Sequence, residues 1–110
     1  MNLDSKPKLD KAQYRALSLR IFKGFKIDYQ IVDGGRRWTF WVNGAKIIFS
    51  PATHKWRHQV AAWRNKAKGE DIQSMFEYLN SLGEEHYDLT QIANERGNSV
   101  ILMKIVVQSE

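Results

Sequence analysis

From Lys8 to about Phe22 the apolar residues Leu9, Ala12, Ala16 and Leu19, with the neighbouring pair Leu17 and Ile21, recur at intervals of three and four. That period predicts a helix. Pro7 fits its first turn, where the missing N–H costs nothing, and Gly24 fits its C-terminal cap. Phe25 to Val32 changes to alternation, with Phe25, Ile27, Tyr29 and Ile31 on one side and Lys26, Asp28 and Gln30 on the other. This is the pattern of a half-buried strand. Asp33-Gly34-Gly35 is a turn sequence. Arg36 to Asn43 alternates again: Trp38, Phe40 and Val42 share one face, Arg37, Thr39 and Trp41 the other. Asn43-Gly44 predicts a two-residue hairpin, because a type I′ turn needs positive φ at both positions. Lys46 to Ser50 then completes an antiparallel meander.

Ser50 to Lys68 admits two readings. In one, Pro51 to His54 is a four-residue hairpin loop, Lys55 to His58 a fourth strand, and residues 60–68 a loop or short helix. In the other, Thr53 is an N-cap and His54 to Ala67 a helix, since Trp56, Val60, Trp63 and Ala67 are spaced by four, three and four. We adopt the hairpin. Glu70 to Leu82 is an amphipathic helix with Ile72, Met75, Phe76, Leu79 and Leu82 as its stripe and Gly83 as its cap. Leu89 to Arg96 reads as a short helix with Asp88 at its N-cap. Val100 to Val107 is apolar on both faces and predicts a strand covered on both sides, either central in the sheet or paired across a homodimer interface. The expected fold is therefore two-layer α+β, an antiparallel sheet of three to five strands with helices on one face. Residues 1–7 form a polar tail and residues 8–108 one domain, as the 110-residue length also suggests.

Charge sharpens this picture. The net charge is +5 and the isoelectric point near 9.6, but the distribution matters more. Residues 34–69 hold all four tryptophans and eight of the seventeen Lys and Arg residues without a single Asp or Glu. Residues 70–110 carry eight acidic groups against two basic ones. Such segregation favours a polyanionic partner. The absence of cysteine excludes disulfides and thiolate metal sites. No apolar run behind the first charges suggests a signal peptide, and no apolar stretch approaches the ~18 residues of a membrane span. A cytoplasmic location is expected, in the host cytoplasm if the protein is phage-encoded.

With helices over the Trp38 face, the opposite sheet face would present Lys26, Gln30, Arg37, Thr39 and Trp41, joined by some of Lys55, Trp56 and Arg57. Cationic groups pair with phosphates and indole rings stack on unpaired bases, so this surface suits single-stranded or structured RNA or DNA. The candidate contacts are Arg36, Arg37, Trp41, Lys46, Lys55, Trp56, Arg57, Arg64, Lys66 and Lys68. The bland alternative is that the tryptophans are core, or that Arg lies over indole as cation–π support with no ligand.

Two resemblances bear on this. Ser50-Pro51-Ala52-Thr53-His54-Lys55-Trp56 resembles a hairpin tip of small phage and prophage proteins, which carry Gly where His54 stands; it implies no activity. The order of helix, three strands, basic cluster and helix resembles a double-stranded-RNA-binding domain, in which lysines at the start of the second helix hold phosphates across a groove. Lys66 and Lys68 match those lysines. The Asp33-Gly34-Gly35 turn departs from that family's Gly-x-His loop, and Glu70 and Asp71 place negative charge beside the lysines.

No catalytic motif competes with the basic stretch. His54 and His58 have the spacing of two zinc ligands but no third partner, so no metal or other cofactor is expected. Asp28 and Asp33 do not form a two-metal carboxylate cluster. A small nuclease using His54 or His58 as general base is the enzymatic version to test. The alternative to nucleic-acid binding is a phage or mobile-element factor that inhibits a host defence or nucleic-acid-processing complex through protein contacts. Lipid binding is weaker still, since no helix is both basic and strongly amphipathic.

Overall fold

Asp10 starts the first helix. Its carboxylate accepts from the Gln13 backbone N–H at 2.8 Å while the Gln13 side chain accepts from the Asp10 N–H at 2.8 Å, the reciprocal box that satisfies two otherwise orphaned donors. The computed structural model describes residues 9–97. Within them the chain runs α1 (Lys11–Gly24), β1 (Gln30–Val32), a single 3-10 turn (Asp33–Gly35), β2 (Arg37–Val42), β3 (Ala45–Phe49), β4 (Trp56–Ala61), β5 (Arg64–Gly69) and α2 (Ile72–Asn80). A last helical segment covers residues 89–97, with the Asp88 carboxylate accepting from the Thr90 N–H at 2.9 Å. The polar tail at 1–7, Pro7, and the Val100–Val107 strand with its dimer interface all lie outside the described residues.

The strands form one antiparallel sheet in the order β1-β2-β3-β4-β5, and the helices pack on one of its faces. The fold is α+β. Asn43 and Gly44 make the β2–β3 hairpin turn with φ of 52° and 79°, as their type I′ signal requires. Pro51 to His54 is the β3–β4 loop, closed by a bond from the Ser50 N–H to the Lys55 carbonyl at 2.8 Å. The helix reading of 54–67 is thereby overturned. So is the loop or short helix over 60–68, where the chain instead adds β5.

Two boundaries and one buried face also differ from expectation. The strand expected from Phe25 is reduced to Gln30–Val32, because Lys26 takes a φ of 56° and breaks the extended run. Phe25, Ile27 and Tyr29 still lean on the core. In α1 the buried face is Leu17, Ser18, Ile21 and Phe22; Ala12, Ala16 and Leu19 point to solvent, Leu19 at 46% exposure. The helix expected over Glu70–Leu82 is shorter at both ends, starting after the Asp71 cap.

The core lies between the sheet face carrying Trp38, Phe40, Val42, Ala45, Ile47, Phe49 and Trp56 and the helical residues Leu17, Ile21, Phe22, Met75, Phe76 and Leu79. Trp56 crosses the sheet over β5: its ring stacks on Tyr78 with centroids 5.3 Å apart, and its Nε1–H donates to Ser74 Oγ at 3.3 Å. Gly69, its cross-strand partner, has no side chain because a Cβ there would come within 2.5 Å of Trp56 Nε1.

His54 fastens the β3–β4 loop to α1. It is 1% exposed and has a φ of 65°, a left-handed conformation that glycine adopts more readily than histidine. The Tyr14 carbonyl, 3.0 Å from Nε2, can only accept, so Nε2 carries the ring hydrogen and shares it with Ser18 Oγ at 2.9 Å. Nδ1 is buried with no partner. A proton there would have nothing to bond, and burial pulls the imidazole from 6.5 to about 4 despite the opposing Tyr14 bond.

An acid-sensitive fold follows. The unfolded chain takes up a proton near pH 6.5 while the folded chain resists until about pH 4, so the stabilisation present above pH 6.5 is lost as pH falls through that window. The loss reaches about 3 kcal/mol. Urea unfolding at pH 7 and pH 4.5 should show it, and His54→Gln, which cannot titrate, should remove most of the slope. A slope unchanged in that variant would show that His54 is not its source. His58, whose imidazole is pulled down by burial and then by the Lys66 charge, accounts for a remainder of the same sign.

Candidate nucleic-acid interface

The face of the sheet opposite the helices is built from the residues that alternate with the core positions. Cross-strand pairing lines them up in rows. One row reads Gln30, Thr39, Ile48, Arg57, Lys68 across all five strands. A second reads Trp41, Lys46, Gln59, Asn65 from β2 to β5. Arg37, Ser50 and Lys55 extend the face at the loop end. None of the five strands contains an Asp or Glu.

Trp41 is 55% exposed, with the Lys46 ammonium 5.9 Å from its ring centroid. That contact leaves much of one indole surface open while keeping a cation beside it. Arg37 reaches Asp33 through Nε at 3.7 Å, with both side chains about half exposed. An exposed i,i+4 pair of this kind holds by well under 1 kcal/mol, so Arg37 is free to change partners.

The fold thus gathers Arg37, Trp41, Lys46, Lys55, Arg57 and Lys68 on one surface. Arg64 and Lys66 are exposed on the edge strand β5, and Arg36 is exposed in the turn before β2. Lys66 and Lys68 belong to that strand and not to the start of the second helix, where their counterparts in a double-stranded-RNA-binding domain would stand; five strands also separate α1 from α2 in place of three. Trp56 must be withdrawn as a stacking residue. It is 6% exposed, on the core face, with both its ring and its N–H engaged.

The tryptophan that reaches solvent furthest is Trp63, 97% exposed in the two-residue turn between β4 and β5. Neither Ala62 nor Trp63 has positive φ, so the turn needs no glycine or asparagine and leaves no mark in the sequence. His54 and His58 sit on the core side, the second with Nδ1 2.7 Å from the Tyr78 hydroxyl. Neither reaches the open face as a phosphate contact or a general base. Among the described residues no three His, Asp or Glu side chains are grouped as metal ligands, and no helix is long and apolar enough to cross a membrane.

No family model matches the chain, and neither a curated protein nor a solved structure matches it.

Proposed function

We propose that this protein binds single-stranded or structured RNA or DNA on the open face of its sheet. What carries the reading is one observation: a sheet whose strands hold no Asp or Glu, with Arg37, Lys46, Lys55, Arg57 and Lys68 on the same face as a half-exposed tryptophan, Trp41. The cations neutralise backbone phosphates and release their counterions, which gives affinity without sequence reading. The indole offers a stacking plane that any base can use, contributing roughly 1–3 kcal/mol per base. Arg64 and Lys66 on β5 widen the positive surface beyond the stacking platform.

A titration of fluorescein-labelled single-stranded and duplex DNA and RNA at two salt concentrations tests this. Binding that weakens steeply with salt and quenches tryptophan emission is expected, and the preferred strand type names the substrate. No binding to any oligonucleotide at low salt would remove the reading.

The second reading, a phage or mobile-element protein that inhibits a host complex through protein contacts, is favoured by Trp63. An indole held almost wholly in solvent at a hairpin tip, next to Arg64, combines two residue types that dominate binding energy at protein interfaces. It predicts no binding to protein-free oligonucleotide.

A further inference from the structure

Arg57 differs from the other arginines whose partners are defined. Arg20 pairs with Glu95, Arg37 with Asp33 and Arg96 with Asp71. Arg57 has no carboxylate within ion-pair reach among the described residues, and its Nε is shut off from solvent without a hydrogen-bond partner. It stands in the middle of the open face, between Ile48 on β3 and Lys68 on β5. Beside it is a shallow concavity of about 180 Å³ lined by Arg37, Ile48, Ser50, Lys55, Trp56 and Arg57. Trp56 itself projects to the opposite face, so the lining of the open side is three cations, a serine and an isoleucine.

A cationic N–H that is removed from water and left unpaired is costly. An oxyanion in the concavity offsets that cost, because negative charge beside the guanidinium stabilises the cation even though Nε itself is closed to solvent. A guanidinium presents a planar fork that matches two oxygens of a phosphate. Lys55 and Arg37 supply further positive charge from the loop end, and Ile48 forms an apolar side. We infer that Arg57 is the centre of a phosphate-oxyanion site. The inference rests on the nucleic-acid reading of this face and adds to it the position of one backbone phosphate. Trp41 lies in the neighbouring row of the sheet, two residues or roughly 7 Å along the strand direction and two strands across from Arg57, which sets a base platform beside the phosphate.

The arginine Nε–H signals in 1H–15N spectra of the full chain report on the site directly. Two probes are titrated at low salt: the dinucleotide d(TpT), which has a single internal phosphodiester, and inorganic phosphate. The Arg57 Nε–H signal is expected to shift saturably with d(TpT), while those of Arg20 and Arg96, already paired, stay in place. Arg57→Lys, which keeps the charge and loses the fork, should weaken oligonucleotide binding about tenfold. A saturable shift with inorganic phosphate alone would support the oxyanion site and assign it to free phosphate, against the nucleic-acid reading. An Arg57 signal that moves with neither probe overturns the site, and does so even where oligonucleotides bind the protein elsewhere on this face.

Discussion

Phe22→Ala is expected to destabilise the protein by about 3–5 kcal/mol. Phe22 is 1% exposed and is the ring on which the two layers meet. Its centroid lies 5.0 Å from that of Trp38, 5.2 Å from Phe40 and 5.3 Å from Phe49 on the sheet, 5.5 Å from Tyr29 before β1, and 6.1 Å from Phe76 on α2. Truncation removes the transfer energy of the ring and leaves a cavity walled by aromatic side chains too stiff to close it. Edge-to-face contacts contribute beyond buried area, and four of the five are edge-on, with interplanar angles from 68° to 88°. A domain of ordinary stability, about 5–15 kcal/mol, would be left marginal. Urea unfolding followed by near-ultraviolet circular dichroism measures this. A loss below about 1 kcal/mol, far under the usual cost, would mean that the layers meet elsewhere.

How much of this was legible in the sequence depends on where each element draws its stability. The β2–β3 hairpin was plain, because alternation and the Asn43-Gly44 turn are local signals set by backbone geometry. Strand β5 was hidden. Arg64-Asn65-Lys66-Ala67-Lys68-Gly69 has no apolar alternation and low strand propensity, and it exists because β4 offers it an edge to pair with. A lysine-rich terminal strand is also what discourages further sheet addition, so its function as an edge erases its signature. In α1, spacing gave a helical period but not which of its apolar residues face the core: Leu9, Leu17 and Ile21 are buried, Ala12, Ala16 and Leu19 are not. The inward face is set by Phe22, which fills the space over the sheet and brings Leu17, Ser18 and Ile21 with it.

The candidate site was legible as a face but not as a list. Pattern placed Arg37 and Trp41 opposite Trp38 and Phe40, and pairing then brought Lys46, Arg57 and Lys68 beside them. Trp56 and Trp63 could not be separated, because their neighbours suited a helix as well as a hairpin. Their outcomes are opposite, one buried at 6% and the other exposed at 97%. Asn43 illustrates a role that no local reading reaches: beyond its turn, its side-chain amide donates to the Leu79 and Glu85 carbonyls and accepts from the Glu85 N–H, at 3.0 to 3.1 Å. His54 is similar, since its buried partners lie 36 and 40 positions away.

The second large effect concerns the open face itself. In the triple variant Arg37→Ala, Trp41→Ala, Arg57→Ala each change lies on the face away from the core, so the folded state should persist with an unchanged far-ultraviolet spectrum. Loss of one stacking plane removes roughly 1–3 kcal/mol, and loss of two phosphate contacts lowers the salt slope by about 2. Together these should weaken oligonucleotide binding by about 100-fold or more.

The measurement that bears most directly on the account is therefore the salt-dependent affinity of this triple variant beside the unaltered protein, read by anisotropy on the same labelled strand. The account predicts a folded variant whose affinity has collapsed and whose salt slope has flattened. A folded variant with the affinity and slope of the unaltered protein would contradict it.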